Sequence, residues 1–216
     1  MNTDIARTKM IEQQVRAWDV FDPDVLNVMT IVPREQFVPE GFEMLAFADT
    51  EIPIGYGESM MTPTIEGRVL QALSLEGSES VLEIGTGTGH LTACLAKLAH
   101  EVTSVDIHAA FLDGAAGRLE SQGIDNVTLQ TMDATDTLPE GQFDAIAITG
   151  SIPSFDPRYV DALAPQGRLF VIVGEGPVMD ARRVVKTSDS DWESESLFET
   201  RQKALLNCAL PPEFRF

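Results

Sequence analysis

The stretch that decides the fold is VLEIGTGTGHLTACLA at residues 81–96. Its apolar start predicts a buried strand, its amphipathic end predicts a helix, and three closely spaced glycines join the two. Glycine lets the backbone turn tightly and approach a ligand, and the first turn of the following helix offers amide groups without an intrahelical partner. The stretch therefore predicts a strand, a ligand-binding loop and a helix in direct succession.

Strands and helices keep alternating around this stretch. Apolar runs predict five strands at residues 80–85, 101–107, 126–130, 143–149 and 167–174. Amphipathic segments between them predict helices at residues 90–99, 108–122 and 156–165. Alternation at this spacing is typical of βαβ units. We therefore expect an α/β fold: a doubly wound, mostly parallel, Rossmann-like sheet flanked by helices.

The N-terminal part of the chain has a different pattern and predicts a helical extension. Residues 1–32 are predicted to be helical, with Asp22 as the N-cap of a helix that Pro33 ends. Residues 33–64 are rich in Pro and Gly and predict loops around short elements. We divide the chain into this extension, residues 1–64, and a main domain, residues 65–216.

The main domain is expected to begin with an amphipathic helix over residues 65–73. Weaker patterns near its end, at residues 181–188 and 195–200, predict antiparallel edge strands. Phe214 and Phe216 are spaced two apart, and we expect their rings to pin the C-terminus to the domain surface.

The details of the glycine loop indicate which ligand it binds. A dinucleotide-binding loop has the spacing G-x-G-x-x-G, but here the third glycine comes one residue early and His90 takes its place. The Gly-Lys-Ser/Thr ending of a phosphate-binding loop is also absent. Glu83, two residues before Gly85, suits a ligand that carries positive charge, such as the amino group and sulfonium of S-adenosylmethionine.

Two further carboxylates have the spacing that this ligand requires. Asp106, at the end of the second strand, is placed to accept hydrogen bonds from ribose hydroxyls. Asp133, just past the third strand, is placed to accept from the adenine amino group. Strand ends in such a sheet face one crevice. The predicted cofactor-binding residues are Glu83, Gly85, Thr86, Gly87, Gly89, His90, Asp106, Ile107, Asp133, Ala134 and Thr149.

Several motifs extend this interpretation into a resemblance. The chain resembles class I methyltransferases and, more narrowly, the protein-L-isoaspartate O-methyltransferase family. The segments that carry the resemblance are VPREQFVPE (32–40), IPIGYGESMMTP (52–63), VLEIGTGTGHLTACLA (81–96), SVD (104–106) and FDAIAITGSIP (143–153). The resemblance implies S-adenosylmethionine as cofactor, a methyl ester on the carboxylate of isoaspartyl residues, and an N-terminal extension that covers the active site. That ester would collapse spontaneously to a succinimide, as the first step of protein repair.

Two departures from the family pattern lie in segments that the resemblance assigns to binding of the methyl acceptor. The family usually reads G-Q-T-I-S-x-P, with a serine at the methyl-transfer site, and Met61 stands where that serine is expected. A thioether cannot donate a hydrogen bond. The resemblance therefore implies Met61, Ser59 and Thr62 as candidate catalytic positions, with the two hydroxyls as substitutes for the serine. The C-terminal segment also lacks the family's V-R-F-V-P-L strand.

The sequence therefore leaves more than one identity open for the methyl acceptor. It is an isoaspartyl protein or peptide, or a small molecule bound by the same scaffold; a non-catalytic S-adenosylmethionine-binding protein is a third alternative. An ionised carboxylate acceptor needs no general base, and neither a catalytic triad nor a metal-ligand spacing is visible.

The charge and cysteine content of the chain indicate which partners are disfavoured and in which compartment we expect the protein. The chain of 216 residues carries a formal net charge of −19, which disfavours nucleic acid and anionic membranes as partners. The polar N-terminus and the small number of cysteines, two in all, predict a cytoplasmic protein with reduced thiols. The sequence does not indicate the oligomeric state.

Overall fold

A small hairpin precedes the main sheet of the protein. The computed structural model describes residues 3–209. The hairpin consists of β1 (Ile52–Gly55) and β2 (Glu58–Met60). The main sheet contains β3 (Ser80–Ile84), β4 (Glu101–Asp106), β5 (Val127–Thr131), β6 (Phe143–Ile152), β7 (Leu163–Val173), β8 (Met179–Lys186) and β9 (Trp192–Thr200).

The order of the main sheet is β5-β4-β3-β6-β7-β8-β9. The first five strands in this order are parallel, and β8 and β9 are antiparallel. The chain moves outward from β3 to β5 and then returns to place β6 on the other side of β3. This reversal creates the crevice in which open α/β sheets bind ligands. The doubly wound α/β fold and its antiparallel edge strands are confirmed.

Helices cover the sheet and form much of the N-terminal extension. They are α1 (Thr3–Met10), α2 (Pro23–Ile31), α3 (Pro63–Leu73), α4 (His90–Leu98), α5 (Ala109–Ser121) and α6 (Arg158–Asp161). A π-helical turn at Ile11–Val15 and a 3-10 turn at Arg16–Trp18 continue α1. The Asp22 carboxylate accepts from the amides of Asp24 and Val25, which confirms the predicted N-cap.

The helix predicted over residues 156–165 is wrong in length. Only Arg158–Asp161 is helical, and β7 already begins at Leu163. Pro165 lacks the N–H that a continuing helix needs. Leu163 instead pairs with Phe143 of β6, and its side chain is fully buried. Pairing with a buried strand therefore replaces the last turns of the predicted helix.

The extension and the main domain share one hydrophobic core. Val15 and Met29 from the extension lie in the same cluster as Leu70 of α3 and Leu95 of α4. A Cβ at Gly67 would lie 2.9 Å from Val15 Cγ1, so only glycine permits this close approach. The division into residues 1–64 and 65–216 stays a prediction.

The sheet ends in an acidic edge strand. In β9 the side chains of Glu193, Glu195 and Glu199 are exposed. Within residues 3–209, helices long and apolar enough to cross a membrane are absent. Phe214 and Phe216 lie outside the described residues.

Candidate active site

A cleft opens where β3, β4 and β5 end and beside the last residues of β6. The β1–β2 hairpin and residues 202–206 of the C-terminal segment complete its wall. Most of the predicted site residues line this cleft. The exceptions are Gly89 and Thr62, which lie outside the lining.

The glycine loop adopts a backbone that requires glycine. Gly85, Gly87 and Gly89 have φ values of +99°, +51° and +85°. A Cβ at Gly85 would lie 2.1 Å from Thr149 Oγ1, and one at Gly89 would lie 2.9 Å from Ala115 Cβ. The Thr149 hydroxyl donates to the carbonyls of Ile84 and Gly85, at 2.9 and 3.0 Å. Glycine at position 89 therefore allows α5 to pack closely against the loop, and the Thr149 hydroxyl holds the loop by hydrogen bonds to its carbonyls.

Glu83 is fully buried beneath this loop, and one of its oxygens has no partner. Its Oε2 accepts from Ser104 Oγ at 2.6 Å and from Thr92 Oγ1 at 2.5 Å. Its Oε1 is buried without a hydrogen-bond partner among the described residues. Burial, with Asp106 nearby, raises the pKa of Glu83 to about 8 against the effect of the two hydroxyls. A buried, unpaired acceptor in a cleft wall fits a ligand that brings a donor or a positive charge.

Asp106 is fixed by the backbone on both sides. Its Oδ2 accepts from the Gly87 amide at 3.0 Å, and its Oδ1 accepts from the His108 amide at 2.9 Å. Each carboxylate oxygen can accept more than one hydrogen bond, so capacity for a ligand hydroxyl remains. Ile107 follows, with 37% of its surface exposed, and offers an apolar contact beside the carboxylate.

Asp133 is held by neighbours that the sequence did not indicate. Its Oδ1 accepts from the amide and hydroxyl of Thr135, at 3.0 and 2.6 Å. Its Oδ2 accepts from Asn207 Nδ2 at 2.7 Å. Burial alone would raise the pKa of Asp133, but these hydrogen bonds outweigh it and lower the pKa. Asn207 thus donates to the carboxylate that the sequence analysis assigned as acceptor for an adenine amino group. Ala134, beside Asp133, is buried and lines the cleft.

A buried charged network lies behind the glycine loop. Arg34 and Glu66 form an ion pair, and His90 Nδ1 lies 3.0 Å from Glu66 Oε2. The His90 ring also packs edge-on against Phe37, and its Nε2 lies 3.9 Å from Cys94 Sγ. Both ring nitrogens therefore face protein groups, which favours a structural role for His90 although it lines the cleft.

Arg34 connects this network to the acceptor side of the cleft. Its Nη2 donates to the Met61 carbonyl at 2.6 Å, and its Nε donates to the Ala46 carbonyl at 2.9 Å. Burial would raise the pKa of Glu66, but Arg34 and His90 outweigh it and lower the pKa, so the carboxylate stays ionised. The predicted site did not include Arg34 or Glu66. The available signal was the position of Arg34 within VPREQFVPE.

The three acceptor-side candidates have different surroundings. Ser59 Oγ donates to Glu51 Oε2 at 3.1 Å, and Met61 is buried in the cleft wall. Thr62 is the N-cap of α3, and its Oγ1 accepts from the Ile65 amide at 3.4 Å. Ser59 and Met61 are therefore brought to the cleft, whereas Thr62 is not.

The C-terminal segment forms part of the rim of the cleft. The Ser151 amide donates to the Lys203 carbonyl, and the Leu205 amide donates to the Ser151 carbonyl, both at 2.9 Å. Lys203 Nζ then reaches the hairpin, where it lies 2.5 Å from Glu58 Oε1 and 2.8 Å from the Gly57 carbonyl. The sequence did not single out Lys203 as a site residue.

The reversal of strand order, the glycine loop and the carboxylates after β4 and β5 define a class I, S-adenosylmethionine-dependent methyltransferase. Within that class, residues 6–205 match the family model of protein-L-isoaspartate(D-aspartate) O-methyltransferase, and the chain belongs to this family. The family resemblance predicted from the sequence is confirmed.

Two relatives illustrate the match over the chain. Protein-L-isoaspartate O-methyltransferase 1 of Rhodopseudomonas palustris is 39% identical over 197 residues, covering 90% of this chain and 80% of the relative. Protein-L-isoaspartate O-methyltransferase 2 of Pelobacter propionicus is 37% identical over 202 residues, covering 93% of this chain and 90% of the relative.

A solved structure agrees with the fold. It is a Plasmodium falciparum protein described as a protein-L-isoaspartate O-methyltransferase, in complex with S-adenosyl-L-homocysteine. The TM-score is 0.79 at 22% identity, with coverage of 92% of this chain and 97% of the other.

Proposed function

We propose that this protein methylates the free carboxylate of isoaspartyl residues in proteins or peptides. The observation that carries the proposal is that one cleft is lined both by the glycine-loop segment and by the hairpin segment on which the family resemblance rests. Gly85 and Gly87 of the glycine loop and the acceptor-side residues Ser59 and Met61 all line it. The family match over residues 6–205 supports the same acceptor.

The residues suited to hold the cofactor fit its chemistry. S-adenosylmethionine supplies an electrophilic methyl group on a positively charged sulfur. The unpaired Glu83 Oε1 suits its positively charged portion, and Asp106 retains acceptor capacity for ribose hydroxyls. The open backbone of the glycine loop permits close approach. The extension at residues 1–64 supplies the hairpin and so covers the acceptor side.

The acceptor needs positioning more than it needs proton transfer. An isoaspartyl carboxylate is ionised at pH 7, so a general base is unnecessary. The contribution of the chain is to align the acceptor oxygen with the methyl group and to exclude water, and alignment alone provides large accelerations. Met60 and Met61 are suited to exclude water, and Arg34 fixes the backbone of Met61.

A smaller or less charged acceptor is the second candidate. The observation that favours it is the pair Met60 and Met61, both buried and both lining the cleft where the family has a hydroxyl. Flexible thioethers accept varied apolar shapes.

The proposal includes partners and location. The net charge of −19 favours a protein or peptide acceptor over nucleic acid. Cys94 and Cys208 are free thiols, as expected in the reducing cytoplasm.

Methyl transfer from labelled S-adenosylmethionine tests the function directly. The acceptors are an isoaspartyl peptide, its aspartyl isomer and a cell extract from which large proteins have been removed. Labelling of the isoaspartyl peptide alone supports the proposal. Labelling of a small molecule in the extract, with neither peptide labelled, favours the second candidate.

A further inference from the structure

We propose that the Lys203 ammonium group binds the carboxylate of the methyl acceptor and makes the cleft selective for an anionic acceptor. This inference rests on the proposed function and names a specificity-determining residue for it. It follows from the charges of the cleft wall, from the hydrogen bonds of the hairpin and from the position of Lys203 between two segments.

The wall of the cleft carries more acidic than basic side chains. Five carboxylate residues line it: Glu58, Glu66, Glu83, Asp106 and Asp133. Glu66 is neutralised by its ion pair with Arg34, and burial raises the pKa of Glu83 to about 8, so the repulsion of an anionic acceptor comes from Glu58, Asp106 and Asp133. Among the described residues of the lining, Lys203 is the single lysine or arginine. An acceptor that is itself a carboxylate meets repulsion on entering such a wall unless a cation faces it. Arg34 does not fill this role, because it is buried and paired with Glu66.

The hairpin offers the acceptor few side-chain donors. The Ser59 hydroxyl donates to Glu51, Thr62 caps α3 away from the lining, and Met61 has no donor. A carboxylate held on this side of the cleft therefore requires a donor from another segment.

Lys203 has a donor available. An ammonium group carries three N–H donors. Two of them reach acceptors in the described residues, the Gly57 carbonyl at 2.8 Å and Glu58 Oε1 at 2.5 Å. The third N–H has no acceptor among residues 3–209. The Lys203 side chain is 42% exposed, so an incoming peptide can reach this N–H.

The surroundings hold this ammonium group at the rim. The backbone of Lys203 is tied to Ser151 of β6, and its side chain is tied to the hairpin. Lys203 thus joins the two segments that depart from the family pattern, the acceptor hairpin and the C-terminal segment.

Glu58 keeps the ammonium group in place before the acceptor arrives. An acceptor carboxylate either uses the free N–H or displaces Glu58 from the pair. Removing the charge of Glu58 should therefore strengthen acceptor binding, whereas removing Lys203 should weaken it.

The test compares two peptides that differ only in the acceptor group. An isoaspartyl peptide and its isoasparagine counterpart, in which a carboxamide replaces the carboxylate, are titrated into the enzyme saturated with S-adenosyl-L-homocysteine. In the parent we expect a preference for the carboxylate. In Lys203→Met we expect that preference to fall about tenfold, with carboxamide binding unchanged, as for loss of one partly exposed charge-assisted hydrogen bond. Lys203→Arg should retain most of the preference, and Glu58→Gln should increase it.

A matched control and a stability readout exclude a general effect. Lys97→Met makes the same chemical change at an exposed site on α4 outside the cleft and should leave the preference at the parent value. Unchanged affinity for S-adenosyl-L-homocysteine verifies that Lys203→Met is folded. A purely structural role for Lys203 would weaken both peptides equally.

The outcomes separate this inference from the proposed function. If the parent methylates the isoaspartyl peptide and Lys203→Met keeps the full carboxylate preference, the role of Lys203 is refuted and the proposed function stands. If the parent neither methylates nor binds the isoaspartyl peptide, both are refuted.

Discussion

Replacing Glu83 by glutamine is expected to change how the stability of the protein depends on pH. The folded state raises the pKa of this carboxyl from 4.5 to about 8, chiefly through burial. Between these two values the folded state keeps a proton that the unfolded state releases. The free energy of unfolding therefore falls as pH rises through this range and levels off above about pH 8.

The size of the effect follows from the two pKa values. The difference between 4.5 and about 8, taken at about 1.4 kcal/mol per pKa unit, corresponds to about 5 kcal/mol. This is a large fraction of the stability of a typical domain, about 5–15 kcal/mol. Binding of S-adenosylmethionine offsets this loss of stability, because a positively charged group beside Glu83 Oε1 favours the ionised carboxylate. We therefore expect the affinity for S-adenosylmethionine to rise with pH over the same range.

Urea unfolding at about pH 5, 7 and 9 measures the effect in the parent and in Glu83→Gln. Glutamine keeps the shape but does not titrate, so the difference between the two curves isolates Glu83. The variant should equal the parent within about 1 kcal/mol at the lowest pH and exceed it by several kcal/mol at the highest. Glu193→Gln, which removes an exposed carboxylate on β9, should show no such difference. Parallel pH profiles for the parent and Glu83→Gln would refute the reasoning.

Three further outcomes are expected. Gly87→Val should abolish calorimetric binding of S-adenosyl-L-homocysteine, since valine is strained at φ +51° and blocks the loop; unchanged affinity would contradict the site. Met61→Ser should raise kcat/KM for an isoaspartyl peptide about tenfold to a hundredfold, because serine restores a hydrogen-bond donor; an unchanged kcat/KM would argue against a role for position 61. Thr62→Ala should instead lower the free energy of unfolding by about 1 kcal/mol, because α3 loses its N-cap. Arg34→Met should lower the free energy of unfolding by about 3–5 kcal/mol because Glu66 loses its arginine partner. The double variant Arg34→Met/Glu66→Met should recover part of that, since the Ala46 and Met61 carbonyls still lack their donor; equal losses in both variants would contradict it.

The sheet and the glycine-loop side of the cleft were predictable from the sequence because their signals are local. The glycines at 85, 87 and 89 and the carboxylate of Asp106 occupy fixed positions relative to strand ends, and strand ends meet at one edge. The length of α6 was not predictable in this way, because the pairing of Leu163 with Phe143 depends on a neighbouring strand.

The acceptor side depends on contacts between distant segments. Arg34 and Glu66 are 32 residues apart, and Lys203 and Glu58 are 145 residues apart, so sequence periodicity does not connect them. Asn207 likewise reaches Asp133 across 74 residues. Resemblance to the family indicated the hairpin but not its partners, because the C-terminal segment departs from the family pattern.

The acidic side chains of β9 affect how the protein behaves in concentrated solution. The outer edge of a sheet carries unpaired backbone groups and is a template for pairing with another chain. If two copies met along this edge, Glu193, Glu195 and Glu199 of each would be brought close to those of the other, and like charges facing each other destabilise such a pair. We therefore expect the strand to protect the protein from edge-to-edge aggregation. Because the protection is electrostatic, it weakens when salt screens the glutamates or when acid protonates them.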